Sequence, residues 1–156
     1  IIAFQKRLEK FEAKGCAVVG CSVDSKFSHW AWLNMPKEQG GIQGVKYPLV
    51  ADFDKTISEN YGVLGGHYDY DENGMAKFVG KPFAYRGTFL IDKSGVVRHE
   101  LINDTPLGRN IDEFLRTLDA LQHNEQHGEV CPADWNEGDD AFKGNHDAVA
   151  AYLATH

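Results

Sequence analysis

Tyr85-Arg86-Gly87-Thr88-Phe89-Leu90-Ile91-Asp92-Lys93-Ser94-Gly95-Val96-Val97-Arg98-His99-Glu100-Leu101-Ile102 reads as two strands and the turn between them. Residues 88–92 and 96–102 are rich in branched and aromatic side chains, and Lys93-Ser94-Gly95 supplies the polar, glycine-bearing connection of a β-hairpin. Beyond it, Asn110-Ile111-Asp112-Glu113 has capping-box character. Ile111, Phe114, Leu115, Leu118 and Leu121 then recur at helical spacing, which predicts an amphipathic helix with one buried face. At the other end of the chain, Ile1, Phe4, Leu8 and Phe11 form a similar apolar stripe, closed by Lys14-Gly15.

Between these helices the valine-rich run Cys16-Ala17-Val18-Val19-Gly20-Cys21-Ser22-Val23 predicts a buried strand. Asp24 or Ser25 caps a helix carrying Phe27, Trp30, Ala31 and Leu33, which Met35-Pro36 ends. A strand at 47–51 follows, then a helix from Asp54 to about Tyr61-Gly62. After the first helix the order is therefore β, α, β, α, β, β, α. That order predicts an α/β protein of thioredoxin-like fold, a central mixed β-sheet flanked by helices.

Residues 65–82 interrupt the pattern with a long polar and aromatic stretch. Asp69-Tyr70-Asp71-Glu72-Asn73-Gly74 has the alternating acids of a calcium loop, but the twelfth position is Gly80 instead of glutamate, and no helices flank it. A surface hairpin turning at Asn73-Gly74 fits better. Past residue 136 the chain is acidic and glycine-containing before a last short helix near 147–153.

At 156 residues, with 42% hydrophobic and 12% aromatic side chains, the chain has enough apolar surface to bury one domain's core. Sixteen basic and twenty-three acidic residues give 16 − 23 = −7, with the basic ones dispersed. This argues against nucleic-acid and anionic-membrane partners. There is no apolar run of membrane-spanning length, and a cytoplasmic location is expected. Three cysteines suit reactive thiols in a reducing compartment better than a disulfide framework.

The thiols differ in setting. Cys16 and Cys21 are expected to be small buried residues on opposite faces of a strand, unable to share an ion. Cys131 stands alone in Gly128-Glu129-Val130-Cys131-Pro132-Ala133-Asp134-Trp135, just past a helix, stiffened by Pro132, with Trp135 placed to pin the segment to a surface. His123, His127 and Cys131 share a four-residue spacing, but Gly128 and Pro132 break the helix that would align them as metal ligands. Trp30 and Trp32 are expected in packing.

The 128–135 segment closely resembles the resolving-cysteine segment of the typical 2-Cys peroxiredoxins, the alkyl hydroperoxide reductase C group. Tyr85-Arg86-Gly87-Thr88-Phe89-Leu90-Ile91-Asp92, Asn103-Asp104-Thr105-Pro106-Leu107-Gly108-Arg109, and Val23-Asp24-Ser25 with His29-Trp30-Ala31-Trp32 are similar to the same family, in order and spacing. The resemblance implies a thioredoxin-like domain over 1–123 and a tail over 124–156 carrying the resolving cysteine. It also implies that the peroxide-reacting cysteine lies in a Pro-x-x-x-Thr-x-x-Cys-Pro-Thr-Glu segment ahead of Ile1, so that residues 1–156 alone would be inactive.

Within that scheme Cys131 is the second thiol, Arg86 the cation beside the attacking sulfur, and Arg109 a brace for the active-site helix. The family's chemistry reduces hydrogen peroxide, organic hydroperoxides or peroxynitrite with thiols and no metal, haem or flavin cofactor. A thioredoxin-like or flavoprotein reductase regenerates the dithiol. A homodimer, assembled into a ring of dimers, is implied. Gly40-Gly41-Ile42-Gln43 and Tyr152-Leu153 match only partly the motifs of easily over-oxidised members. The alternative from another class is a redox-regulated chaperone or interaction module on the same scaffold. A cysteine hydrolase built on Cys131 would require a nucleophile elbow, and the sequence has none.

Overall fold

The structure is a computed structural model and describes residues 1–155. Contacts divide the chain into two compact units. The first holds Ile1–Thr88 and Glu100–Arg109, and the second holds Phe89–His99 and the chain from Asn110 onward.

In the first unit the apolar stripe at the start forms two short helices, α1 (Ile2–Gln5) and α2 (Leu8–Ala13), where the sequence predicts a single one. Arg7 leaves helical geometry at φ −116° and ψ 6°, which makes the break. Leu8 and Phe11 are buried, and the Phe4 and Phe11 rings stack across the break at 5.9 Å. Gly15, at φ +66°, ends α2. Its N–H bonds to the Glu12 carbonyl at 2.9 Å and the Cys16 N–H to the Phe11 carbonyl at 2.9 Å, the paired bonds of a Schellman cap.

The next strand starts later than the valine-rich run suggests: the Cys16 amide serves the helix cap, and β1 covers only Gly20–Ser22. It pairs in parallel with β2 (Leu49–Ala51), Cys21 opposite Val50. Two expectations fall here. Cys16 lies outside the strand and is half-buried, while Cys21 is exposed, so neither is a core residue. Parity along a strand cannot relate them.

Helix α3 (Lys26–Asn34) begins as predicted, with Ser25 Oγ accepting from the Ser28 N–H at 3.2 Å. Its buried residue is His29, whose Nε2 lies 2.7 Å from Ser22 Oγ. Phe27 and Trp30 are 73% and 68% exposed, so Trp30 is a surface residue and not part of the core. Helix α4 (Thr56–Asn60) is held by Asp52, the most deeply buried polar side chain.

Residues 64–84 form the hairpin expected at Asn73-Gly74, as β3 (Leu64–Tyr70) and β4 (Ala76–Ala84), antiparallel. Asp71 organises the turn, its Oδ1 accepting from the N–H groups of Asn73 and Met75 at 2.9 Å. Near the base, Gly66 opposes Gly80, and a Cβ on Gly80 would sit 2.7 Å from the Gly66 Cα, so the ladder closes there only without side chains.

β5 (Arg86–Ile91) and β6 (Val97–Asn103) make the hairpin at the centre of the sequence argument. Asp92 Oδ1 accepts from the Ser94 and Val96 N–H groups at 2.8 and 3.0 Å, closing its turn. In the second unit α5 (Ile111–His127) starts at an Asn110 cap and ends at Gly128, φ +64°. It buries Ile111, Phe114, Leu115 and Leu118, the stripe read from the sequence. A two-residue strand, β7 (Glu129–Val130), follows the helix and pairs with β8 (Phe142–Lys143), a ladder with no counterpart in the sequence reading. Helix α6 (His146–Leu153) closes the described chain. The β1–β2 ladder is parallel and the β3–β4 and β7–β8 ladders are antiparallel; among the described residues the ladders stay two-stranded and are not joined by backbone hydrogen bonds into the one central mixed sheet expected from the sequence.

Asp52 accepts from Ser58 Oγ at 2.6 Å, from the Ser58 N–H at 2.7 Å and from the Ile57 N–H at 2.9 Å. Burial pushes its carboxyl pKa up, but these donors outweigh burial and hold it below the usual aspartate value. The carboxylate therefore stabilises the fold above the ordinary aspartate pKa, and that stability is lost as pH falls through the lowered one. Asp52→Asn is expected to cost about 1–3 kcal/mol at pH 7. Urea unfolding of variant and wild type should show the gap closing at acid pH.

Candidate active site

Arg86 opens β5 and Arg109 ends the loop after β6, so the β5–β6 hairpin and its exit loop bring both arginines into the first unit. Arg109 is half-buried and its Nη1 donates twice at 2.7 Å, to the Gly87 carbonyl and to Thr88 Oγ1. Its guanidinium also lies over the Phe4 ring, 5.7 Å from the centroid. A single side chain thus joins the start of β5 to α1.

Asn103 shapes the loop that presents Arg109. Its Nδ2 donates to the Gly108 carbonyl at 3.0 Å and reaches the Leu107 carbonyl at 3.5 Å. Arg86 is exposed and contacts the Thr105 carbonyl through Nε at 3.4 Å, a long bond that leaves it loosely held. Burial, then the neighbouring Arg86 charge, push the Arg109 pKa down against the opposing pull of Tyr47.

The two cations act on the start of α1. Arg109 lies over the Phe4 ring of α1, and Arg86 is near enough for its charge to lower the Arg109 pKa, so two positive charges adjoin α1. An anion is favoured in the same field. Tyr47, buried just before β2, donates its hydroxyl to the Ile1 carbonyl at 2.8 Å, and Gln5 Oε1 accepts from the Lys46 N–H at 2.7 Å. The sequence reading singled out neither Tyr47 nor Thr88. Nothing in their local pattern marks them, because their partners lie far along the chain.

Cys131 belongs to the second unit. The free thiol is half-buried against α5, with Sγ 3.7 Å from the Ala120 carbonyl. Burial, then the Glu129 carboxylate, raise its pKa, while Arg116 pulls the other way. Docked in this way it is a protonated thiol at neutral pH, and the thiolate is the reactive form.

Two anchors bracket it. Upstream, Glu129 is tied to α5 by Asn124 Nδ2, which donates to its carbonyl at 2.7 Å, and by His123 Nε2, 3.0 Å from its carboxylate. Downstream, Trp135 is 2% exposed, packs on the His123 ring at 5.0 Å and donates from Nε1 to the Asp139 carbonyl at 3.0 Å. The pinning role expected of Trp135 is observed. Because α5 stops at His127, the histidines and Cys131 do not align on one helix. Among the described residues no group of His, Cys, Asp and Glu side chains is arranged to hold a metal ion.

The AhpC/TSA family profile matches residues 1–100, and the profile for the C-terminal domain of 1-Cys peroxiredoxin matches residues 120–155. Alkyl hydroperoxide reductase C of Helicobacter pylori is 52% identical over 153 residues, which cover 98% of this chain and 70% of that one. Peroxiredoxin-2 of Rattus norvegicus is 46% identical over 156 residues, covering 100% of this chain and 72% of its own. The reduced 2-Cys peroxiredoxin of Plasmodium vivax superposes with a TM-score of 0.85 at 39% identity, covering 98% of this chain and 72% of that one. With two arginines gathered at α1 and a cysteine docked on α5, the chain belongs to the AhpC/TSA peroxiredoxins, thiol-dependent peroxidases of thioredoxin-like fold.

Proposed function

We propose that this protein reduces hydrogen peroxide and organic hydroperoxides through a cysteine sulfenic acid that Cys131 of the partner subunit converts to an intersubunit disulfide. In the first step a thiolate attacks one peroxide oxygen, the O–O bond breaks, and water or an alcohol leaves with the thiol oxidised to sulfenic acid. In the second, the Cys131 sulfur displaces water from that sulfenic acid. A thioredoxin-like or flavoprotein dithiol then returns the disulfide to two thiols.

The observation that carries this reading is the setting of Cys131, a free, half-buried thiol held against α5 by its flanks and not built into the core. In this scheme the reacting thiolate lies beside α1, where the charges of Arg86 and Arg109 favour an anion. Arg86 holds the thiolate and offers donors to the departing oxygen. Arg109 keeps α1 against β5 and supports Arg86 indirectly.

A division into a catalytic domain over 1–123 and a resolving tail over 124–156, and a cytoplasmic location, belong to the same reading. So does assembly as a homodimer and a ring of dimers, which the exposure of the large aromatic side chains Phe27, Trp30 and Phe53, each more than two-thirds exposed, supports. No helix among the described residues is long and apolar enough to cross a membrane.

In the full-length protein, peroxide is expected to produce a disulfide-linked dimer on non-reducing gels, removed by dithiothreitol. Cys131→Ser should abolish the dimer and reductase-dependent turnover while sulfenic acid still forms. A dimer that survives this change would move the resolving role to Cys16 or the exposed Cys21.

Stopped-flow rates should place Arg86 separately. Arg86→Ala is expected to slow the peroxide step on the order of 10²-fold, and Arg86→Lys to restore part of it, supplying charge without the planar fork.

A further inference from the structure

Arg116 has no part in the scheme above, yet it makes the strongest polar contacts around the resolving segment. It lies on α5 one turn before Ala120, so its side chain shares the face on which the Cys131 thiol rests. Glu113, on the preceding turn, grips it in a bidentate pair, with Nε and Nη2 each 2.7 Å from a carboxylate oxygen. That fork fixes the plane of the guanidinium and leaves Nη1 aimed at the tail, where it donates to the Trp135 carbonyl at 2.8 Å.

We infer that Arg116, aimed by Glu113, is the latch that keeps the resolving cysteine docked, a positioning residue whose release sets how often Cys131 is presented for disulfide formation. The inference rests on Cys131 being the resolving thiol. Its physical basis is the bracket around that thiol. Asn124 and His123 secure the chain two residues before it, and Arg116 secures the chain four residues after it, with Pro132 stiffening the span.

To leave α5, Cys131 must break one end of the bracket. The upstream end is continuous with β7, whose Glu129 is also paired across the ladder with Lys143, 3.5 Å between charged groups. The downstream end depends on the Arg116 bond and the seating of Trp135, so it is the end that opens. Since Arg116 contacts a backbone carbonyl, the latch needs no particular side chain at its far end. Closed, it keeps the thiol covered beside the Ala120 carbonyl, where burial outweighs the opposing pull of the Arg116 charge. Open, it places the thiol in water, away from the burial that raises its pKa.

The test uses the reduced full-length protein without peroxide or reductase, and follows iodoacetamide labelling of each cysteine by peptide mass spectrometry. Arg116→Gln is expected to speed labelling of Cys131 on the order of tenfold, the scale of losing a charged hydrogen bond that holds a local closed state. Labelling of Cys16 and Cys21 should not change. Arg116→Lys should fall between, supplying one donor without the fork.

Glu113→Gln should act in the same direction, and Glu113→Gln combined with Arg116→Gln should be no faster than Arg116→Gln alone, since Glu113 works through Arg116. Should Arg116→Gln not fold, Glu113→Gln carries the comparison. Unchanged or slower labelling of Cys131, equal acceleration at Cys16, or additive effects of the two changes would each overturn the latch. Because no peroxide enters the measurement, its outcome is separate from whether Cys131 resolves a sulfenic acid.

Discussion

The first unit depends on one side chain that several segments need at once. Arg109 donates twice to the start of β5, at Gly87 and Thr88, and covers the Phe4 ring of α1 with the same guanidinium. Removing a half-buried cation with two short bonds would leave a carbonyl and a hydroxyl without their donor and Phe4 without its cover. It would also withdraw a positive charge that lies directly on α1. Architecture and electrostatics therefore rest on the same atoms. Arg86 is the more exposed and more loosely held of the two arginines.

The second unit solves a different problem. Its tail holds Cys131 against α5 through a small set of contacts. The bonds across the tail go mostly between side chains and carbonyls, with a two-residue ladder as the sole sheet pairing described there. Burial of Trp135 supplies the apolar part, on the order of 2–3 kcal/mol for a large side chain. Helix α5 is secured separately, by the burial of Ile111, Phe114, Leu115 and Leu118.

The 64–84 hairpin stands apart from both tasks. Its ladder is regular, with Tyr68 and Phe78 packed edge to face at 5.2 Å, yet most of its side chains face water. At its base the Tyr85 N–H bonds to the Val63 carbonyl at 2.8 Å, so the extra length is closed off immediately before Arg86.

The sequence by itself determined the elements whose causes are local. The Ser25 and Asn110 caps, the Gly15 and Gly128 stops, the turn at Asn73-Gly74 and the buried stripe of α5 follow from residues within a few positions of each other, and all are present. The motifs around Arg86, Arg109 and Cys131 were legible for the same reason, each being contiguous. Tertiary structure decided the rest. Whether Cys16 and Cys21 are covered depends on what packs against a short strand, and the cap at Gly15 had already taken the Cys16 amide. Trp30 and Phe27 look like core residues by composition, but His29 fills the buried position because Ser22 lies opposite to receive its ring. Tyr47 reaching Ile1, Arg109 reaching Gly87 and Arg116 reaching Trp135 are pairings between distant residues, and only the folded chain brings their donors and acceptors within bonding distance.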